Sequence, residues 1–159
     1  MSSRTIVAIA LGSNLGDRDA HLDFAVSRLS QFLSGITVSS RYDTAPVDVV
    51  GDQPRYLNAA VVGRTSLEPH ALLRELQAIE LADGRERPYV NAPRTLDLDL
   101  ILYGAAIISE DGLVVPHPRF RERAFVLEPL AELAPELIDP MSGLTVQALL
   151  ARLRGASPT

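Results

Sequence analysis

The strongest constraint on the fold is the order in which strand-like and helix-like hydrophobic periods succeed one another from residue 4 to residue 103. Arg4 to Leu11 is a β-branched apolar run, the pattern of a buried strand. Gly12-Ser13-Asn14-Leu15-Gly16 is turn chemistry, and Asp17 is placed to cap a helix. Leu22, Ala25, Val26, Leu29 and Phe32 recur at helical spacing, with Gly35 as the stop. Thr37 to Tyr42 and Tyr56 to Thr65 read as strands around a Pro- and Gly-containing loop, 44–55. Pro69 opens a second helix whose buried stripe is Leu72, Leu73, Leu76 and Ile79, ending near Gly84. After a polar loop at 85–93, Leu96 to Tyr103 is again a strand. This β-α-β-β-α-β order predicts an α+β, ferredoxin-like antiparallel sheet with helices packed mainly on one face. Downstream, the sequence predicts a short strand at Leu113–Val115 and helices over 122–134 and 145–154. No repeat or interdomain linker interrupts the pattern, so residues 1–159 read as a single domain.

Composition narrows the function classes. With 47% apolar residues and 22% charged, the chain has the makeup of a folded globular protein. It has no cysteine, which removes disulfides and thiolate metal sites. A net charge of −5 argues against nucleic acid as a partner, and no apolar stretch is long enough for a membrane or a signal peptide. A cytoplasmic protein with no membrane partner is expected. All 15 basic residues are arginine. Any grip on phosphate therefore comes from guanidinium groups, backbone N–H groups or metal, and a Walker A lysine is excluded.

Leu96-Asp97-Leu98-Asp99-Leu100 is the sharpest local feature. Alternate residues of a strand share a face, which puts Asp97 and Asp99 side by side, about 6.6 Å apart along the chain, with Leu96, Leu98, Leu100 and Leu102 turned into the core. Ile101 and Tyr103 continue the outer face. The pair reads either as the acidic face of a half-buried strand or as carboxylates sharing a dication. Hard oxygen ligands suit magnesium, which retains waters and takes substrate phosphates in its remaining positions. Arg85, Arg87 and Arg94 lie just upstream, and Arg119, Arg121 and Arg123 form a second cluster beside His117. Guanidinium forks match phosphate oxygens, so two clusters flanking a carboxylate pair suggest a polyphosphate between metal and arginine. His117, between two prolines, reads equally as a loop histidine and as a phosphate contact. His21 and His70 read as surface residues of helices. In Tyr56-Leu57-Asn58-Ala59 an aromatic and an amide share a strand face, and an amide can read a ring edge because it both donates and accepts.

These residues resemble the 6-hydroxymethyl-7,8-dihydropterin pyrophosphokinase family of folate biosynthesis. The matching stretches are Gly12-Ser13-Asn14-Leu15, Thr37 to Ser40, Asp52-Gln53-Pro54, Tyr56 to Ala60, Gly84-Arg85 with Arg87, Pro93 to Asp99, and Val115-Pro116-His117. The resemblance implies transfer of diphosphate from ATP to the pterin hydroxymethyl group with release of AMP. It implies two magnesium ions held by Asp97 and Asp99, with Arg85 and Arg94 beside them as catalytic residues. By position, Gln77, Glu80, Arg85, Arg87, Arg94, His117 and Arg123 would line the nucleotide side. Thr44, Val47, Tyr56, Asn58 and Phe125 would line the pterin side. Segments 45–54 and 83–93 correspond to the family's mobile catalytic loops, and a monomer is expected. The chain departs from many members in having no tryptophan in the second of these loops, where Asn91 falls nearest and Tyr89 offers another ring. Gly112 and Val114 also stand where some members have an arginine and a threonine. Three other readings stay open: a nucleotidyl or glycosyl transferase using Asp-x-Asp, a non-catalytic ferredoxin-like binding module, and a family member that has lost activity.

Overall fold

The structure is a computed structural model that describes residues 4–44, 55–84 and 95–155. The first three long strands are β1 (Thr5–Ser13), β2 (Ser34–Val38) and β4 (Tyr56–Thr65); the short β3 (Tyr42–Thr44) precedes β4, and β5 (Asp97–Tyr103) completes the sheet. Helix α1 (Arg18–Leu29) joins β1 to β2, and α2 (Pro69–Asp83) joins β4 to β5. The sheet runs β2-β4-β1-β5, with β3 also pairing to β4, and its pairings are antiparallel. This is the α+β arrangement that the order of periods predicts.

Local chemistry sets the helix ends. Asp17 Oδ1 accepts the Ala20 N–H at 3.0 Å to cap α1. Pro69 occupies the first turn of α2, where its missing N–H costs nothing, and the Glu68 carboxylate takes the N–H groups of His70 and Ala71 at 3.2 and 2.7 Å.

One face of the sheet carries Val7, Ile9, Leu11, Leu98 and Leu100 against Leu22, Ala25 and Leu29 of α1 and Leu72, Leu76 and Ile79 of α2. The other face carries Ala8, Ala60, Ile101 and Leu102 under α3 (Ala124–Leu133) and α4 (Val146–Leu153). The expectation of helices mainly on one face is thus corrected: two helices cover each side. Its physical reason is visible in β1 and β4, which are apolar at nearly every position, as strands buried on both faces must be. A 3-10 turn, Phe120–Glu122, leads into α3, and the Phe120 side chain is fully buried between α3 and α4.

Three boundaries differ from the sequence reading. Gly12 and Ser13 belong to β1 rather than to the following turn, because they pair with Asn58 and Leu57 of β4. The expected strand 37–42 is two strands, β2 and β3, parted at 39–41; β2 begins before Gly35, whose φ of 59° and local bulge begin the pairing with β4 early. A hairpin of β6 (Ile108–Glu110) and β7 (Leu113–Val115) turns on Asp111-Gly112, with Gly112 at φ 81°. That Asp-Gly dipeptide was the available signal for the unforeseen strand β6.

The alternation expected along β5 also breaks. Ala8 pairs with Leu102 but Ile9 pairs with Leu100, leaving Ile101 as an extra residue in a β-bulge. Leu102 consequently joins Ile101 on the α3–α4 side, and Tyr103 returns to the α1–α2 side. Past α3, the chain is tied back by Asp139, which has no exposed surface. Its carboxylate accepts from Arg121 Nε and Nη2 (2.5 and 2.8 Å), from the Met141 N–H (3.1 Å) and from Ser142 Oγ (2.6 Å).

Candidate active site

The antiparallel register lays the site out across the sheet. Tyr42 pairs with Asn58, Asn58 with Gly12, and Gly12 with Asp97, so these four form one row on one face. The next row on that face is Ala60, Ala10 and Asp99. Asp97 and Asp99 therefore project together, as alternation along β5 requires, on the side of α3 and away from Leu96, Leu98 and Leu100. Asn58 lies two strands from Asp97, about 10 Å at ordinary strand spacing. Between them the floor is backbone and methyl groups.

The amide end of the row is held from below. Asn58 is 8% exposed, and its Nδ2 donates to Thr44 Oγ1 at 2.6 Å. That bond orients the amide and leaves Oδ1 as an acceptor with no donor among the described residues. Tyr56 pairs with Thr44 and stands on the same face, one alternation before Asn58. Phe125, on α3, packs against the cluster that includes Ala10, and the Arg123 guanidinium lies 5.5 Å from the centre of its ring. Thr44, Tyr56 and Asn58 thus gather about one end of the row, and Phe125 lies on the same side of the sheet.

At the carboxylate end, the His117 N–H donates to the Ile101 carbonyl at 3.0 Å, hanging the loop after β7 from the bulge of β5. His117 Nδ1 accepts the Arg119 N–H at 3.2 Å, so the neutral ring carries its proton on Nε2. Burial is the largest influence on this imidazole and lowers its pKa; the Asp99 carboxylate pulls upward, and Arg123 and Arg119 push down again. The net result is a histidine held below its usual range, neutral and able to donate, with Asp99 and Arg123 as its charged neighbours. Arg121 does not join them, because Asp139 engages its guanidinium bidentately through Nε and Nη2.

Helix α2 grips the open edge of β5. Glu80 Oε2 accepts the Leu98 N–H at 2.7 Å, between the two aspartates, and covers an edge donor that has no strand partner on that side. One turn later Asp83 Oδ2 accepts from Thr95 Oγ1 at 2.5 Å, while Asp83 Oδ1 lies 2.8 Å from His21 Nδ1. His21 is thus a bound residue between two helices rather than a free surface one; its side chain is 20% exposed. His70 does stay at the surface, beside Glu110. Gln77 is exposed on α2, one turn before Glu80. Arg85, Arg87, Arg94 and Val47, with Tyr89 and Asn91, lie outside the described residues. The residues that the sequence reading missed are Gly12 and Ala10, which look like turn and strand filler until register places them between the amide and the carboxylates.

Among the described residues no three metal-ligating side chains cluster. Two carboxylates on one face do fit a cation that completes its shell with water and phosphate, as magnesium does, and do not fit an all-protein cage. A separate cleft lined by Asn14, Leu15, Gly16, Arg18, Asp43 and Arg55 is not a free arginine pocket. Asp43 binds Arg18 Nη2 at 3.1 Å and Arg55 Nε at 2.7 Å, and the arginine pair holds its carboxyl below the usual carboxylate range.

Residues 8–135 match the family model described as 7,8-dihydro-6-hydroxymethylpterin-pyrophosphokinase. The chain is 47% identical to a 2-amino-4-hydroxy-6-hydroxymethyldihydropteridine pyrophosphokinase of Bacillus subtilis, over 83% of this chain and 80% of that protein. It is 46% identical to one from Methylorubrum extorquens, over 91% of each. A folic acid synthesis protein of Pneumocystis carinii is 40% identical over 92% of this chain, which spans only 20% of that longer protein. In structure, the chain superposes on Plasmodium falciparum HPPK-DHPS with a TM-score of 0.78 at 14% identity, covering 96% of this chain and 46% of the other, a likeness of fold. With a family model spanning most of its length and relatives of similar size near half identity, the chain belongs to the 7,8-dihydro-6-hydroxymethylpterin-pyrophosphokinase family.

Proposed function

We propose that this protein transfers the terminal diphosphate of ATP to the hydroxymethyl oxygen of 6-hydroxymethyl-7,8-dihydropterin, releasing AMP, as a step of folate biosynthesis. The observation that carries this reading is the row across the sheet, a buried ring-reading amide at Asn58 and a carboxylate pair at Asp97 and Asp99 separated by a bare floor. Asn58 Oδ1 suits an N–H on the edge of a flat heterocycle, and Tyr56 and Phe125 supply aromatic faces about it. A substituent on the far side of such a ring reaches toward Asp97 across Gly12. In the transfer the alcohol oxygen bonds to the β-phosphorus, the bond from that phosphorus to the α-phosphate oxygen breaks, AMP leaves with the electron pair, and the hydroxyl proton is released.

Asp97 and Asp99 would hold magnesium, two ions with ATP bound, and the metal would supply charge neutralisation of the phosphates. The protein's own part is placement and electrostatics. His117, neutral with Nε2–H as donor, and Arg123 meet phosphate oxygens on the nucleotide side, together with Arg85, Arg87 and Arg94. Glu80 fixes the strand between the two carboxylates by its bond to the Leu98 N–H, and Gln77 contributes to the adenosine side. The proposal takes the enzyme as a cytoplasmic monomer acting without nucleic acid; among the described residues no helix is long and apolar enough to cross a membrane.

The test is AMP release from ATP, magnesium and the pterin alcohol. Pterin-dependent AMP with a diphosphorylated pterin is expected. Formation of ADP, or AMP that does not depend on pterin, overturns the assignment.

A further inference from the structure

We infer that Gly12 is a specificity-determining residue: its missing side chain keeps open the approach by which a ring N–H reaches Asn58 Oδ1. This rests on the pterin reading above. A Cβ built on Gly12 would stand 3.2 Å from Asn58 Oδ1 and 3.9 Å from Tyr56 Cδ1, touching both residues assigned to the ring. The amide cannot simply turn away. Its Nδ2 is bonded to Thr44 Oγ1 at 2.6 Å, and the residue is 8% exposed. A methyl group at position 12 would therefore share the space at Oδ1, the acceptor of the Asn58 amide, which has no donor among the described residues.

The backbone does not require glycine there. Gly12 is not among the glycines with positive φ, and it lies in a regular ladder between Asn58 and Asp97. Alanine is admissible in such a strand and reduces the freedom of the unfolded chain. Among the described residues the one tight contact a Cβ would make here, 3.2 Å, is with Asn58 Oδ1, the atom assigned to the ring. The same position lies between the amide and Asp97, so the arm of the bound alcohol crosses the Gly12 backbone on its way to the phosphates.

The test compares Gly12→Ala with Gly63→Ala. Gly63 is also a strand glycine without positive φ, and its added Cβ would meet Leu33 Cβ and the Ser34 carbonyl oxygen, each at 3.3 Å. It is a control for crowding away from the row. Pterin affinity and ATP-analogue affinity are measured separately by calorimetry, with thermal unfolding of each variant. Gly12→Ala should fold, weaken pterin binding by about tenfold or more, and leave ATP-analogue affinity within about threefold, one added methyl in a closed site being worth that much. Gly63→Ala should leave both affinities unchanged. Pterin affinity of Gly12→Ala within about twofold of the parent overturns the inference, as does failure of that variant to fold, which would make Gly12 a structural glycine. If the unaltered protein binds no pterin, the functional assignment fails instead.

Discussion

Replacing Asp139 by asparagine tests how much of the C-terminal third rests on one carboxylate. The side chain has no exposed surface, and Arg121, a quarter exposed, bonds it through Nε and Nη2. Burial acts to raise the Asp139 pKa; Arg121, Ser142 and the Met141 N–H together outweigh it and bring the value from 3.8 down to about 2. A fall of that size corresponds to about 2 kcal/mol of native-state stabilisation of the charged form. Asparagine keeps the volume but removes the charge and leaves Arg121 without its anion, so the loss at neutral pH is about 2–3 kcal/mol. At this chain length each kcal/mol moves the melting temperature by about 2–4 °C, giving a drop of about 5–10 °C. The sign with pH follows from the depressed native value. The stabilisation is complete above the unfolded pKa, near pH 4, and is lost as pH falls through the folded value near 2. Urea unfolding of both proteins at pH 7, 4, 3 and 2.5 should therefore show a gap that is full at neutral pH and closes toward pH 2. Equal midpoints at pH 7, or a gap that does not change with pH, would refute the reasoning.

Three further outcomes are expected. Among the described residues Ser13 Oγ is buried without a hydrogen-bond partner, so Ser13→Ala should raise the urea midpoint or leave it unchanged, by up to about 1 kcal/mol; a clear loss would reveal a partner. Asp97→Ala should lower AMP release by about two orders of magnitude or more while the protein stays folded, and unchanged turnover would sink the metal assignment. Glu132 accepts from the Ser40 N–H and Oγ and from Tyr42 OH (2.8, 3.0 and 2.6 Å), tying the start of β3 to α3; being largely exposed, its loss in Glu132→Ala should cost about 1 kcal/mol in chemical denaturation, with no effect meaning that the tie is solvated in solution.

The sequence carries the sheet and both crossover helices openly, because near-continuous β-branched apolar runs and a 3.6-residue period are readily told apart. Pro69 opens α2 as its backbone chemistry demands, and α2 ends at Gly84 as expected, though without the left-handed conformation that glycine allows. Asp97 and Asp99 share a face for the same geometric reason, and that much of the site needs no tertiary information. Other parts depend on register, which no local pattern encodes. Gly12 looks like the start of a turn until Asn58 is found beside it. His21 looks like a surface residue until α2 brings Asp83 to it. Arg121 sits in an arginine cluster, yet a carboxylate 18 positions later takes it out of reach of phosphate.

The bulge in β5 gives the strand two independent ends. Up to Asp99 its phase is locked to Gly12 and Ala10; beyond Ile101 it is locked to Ala8 and Val7, one residue out of step. The spare residue also provides the carbonyl from which His117 hangs. Deleting Ile101 would rephase Leu102 and Tyr103 and unhook the histidine without disturbing the pairing of either aspartate. The extra residue therefore serves as a coupling between a load-bearing half-strand and a chemical one, setting where the histidine loop docks while leaving the carboxylates where they are.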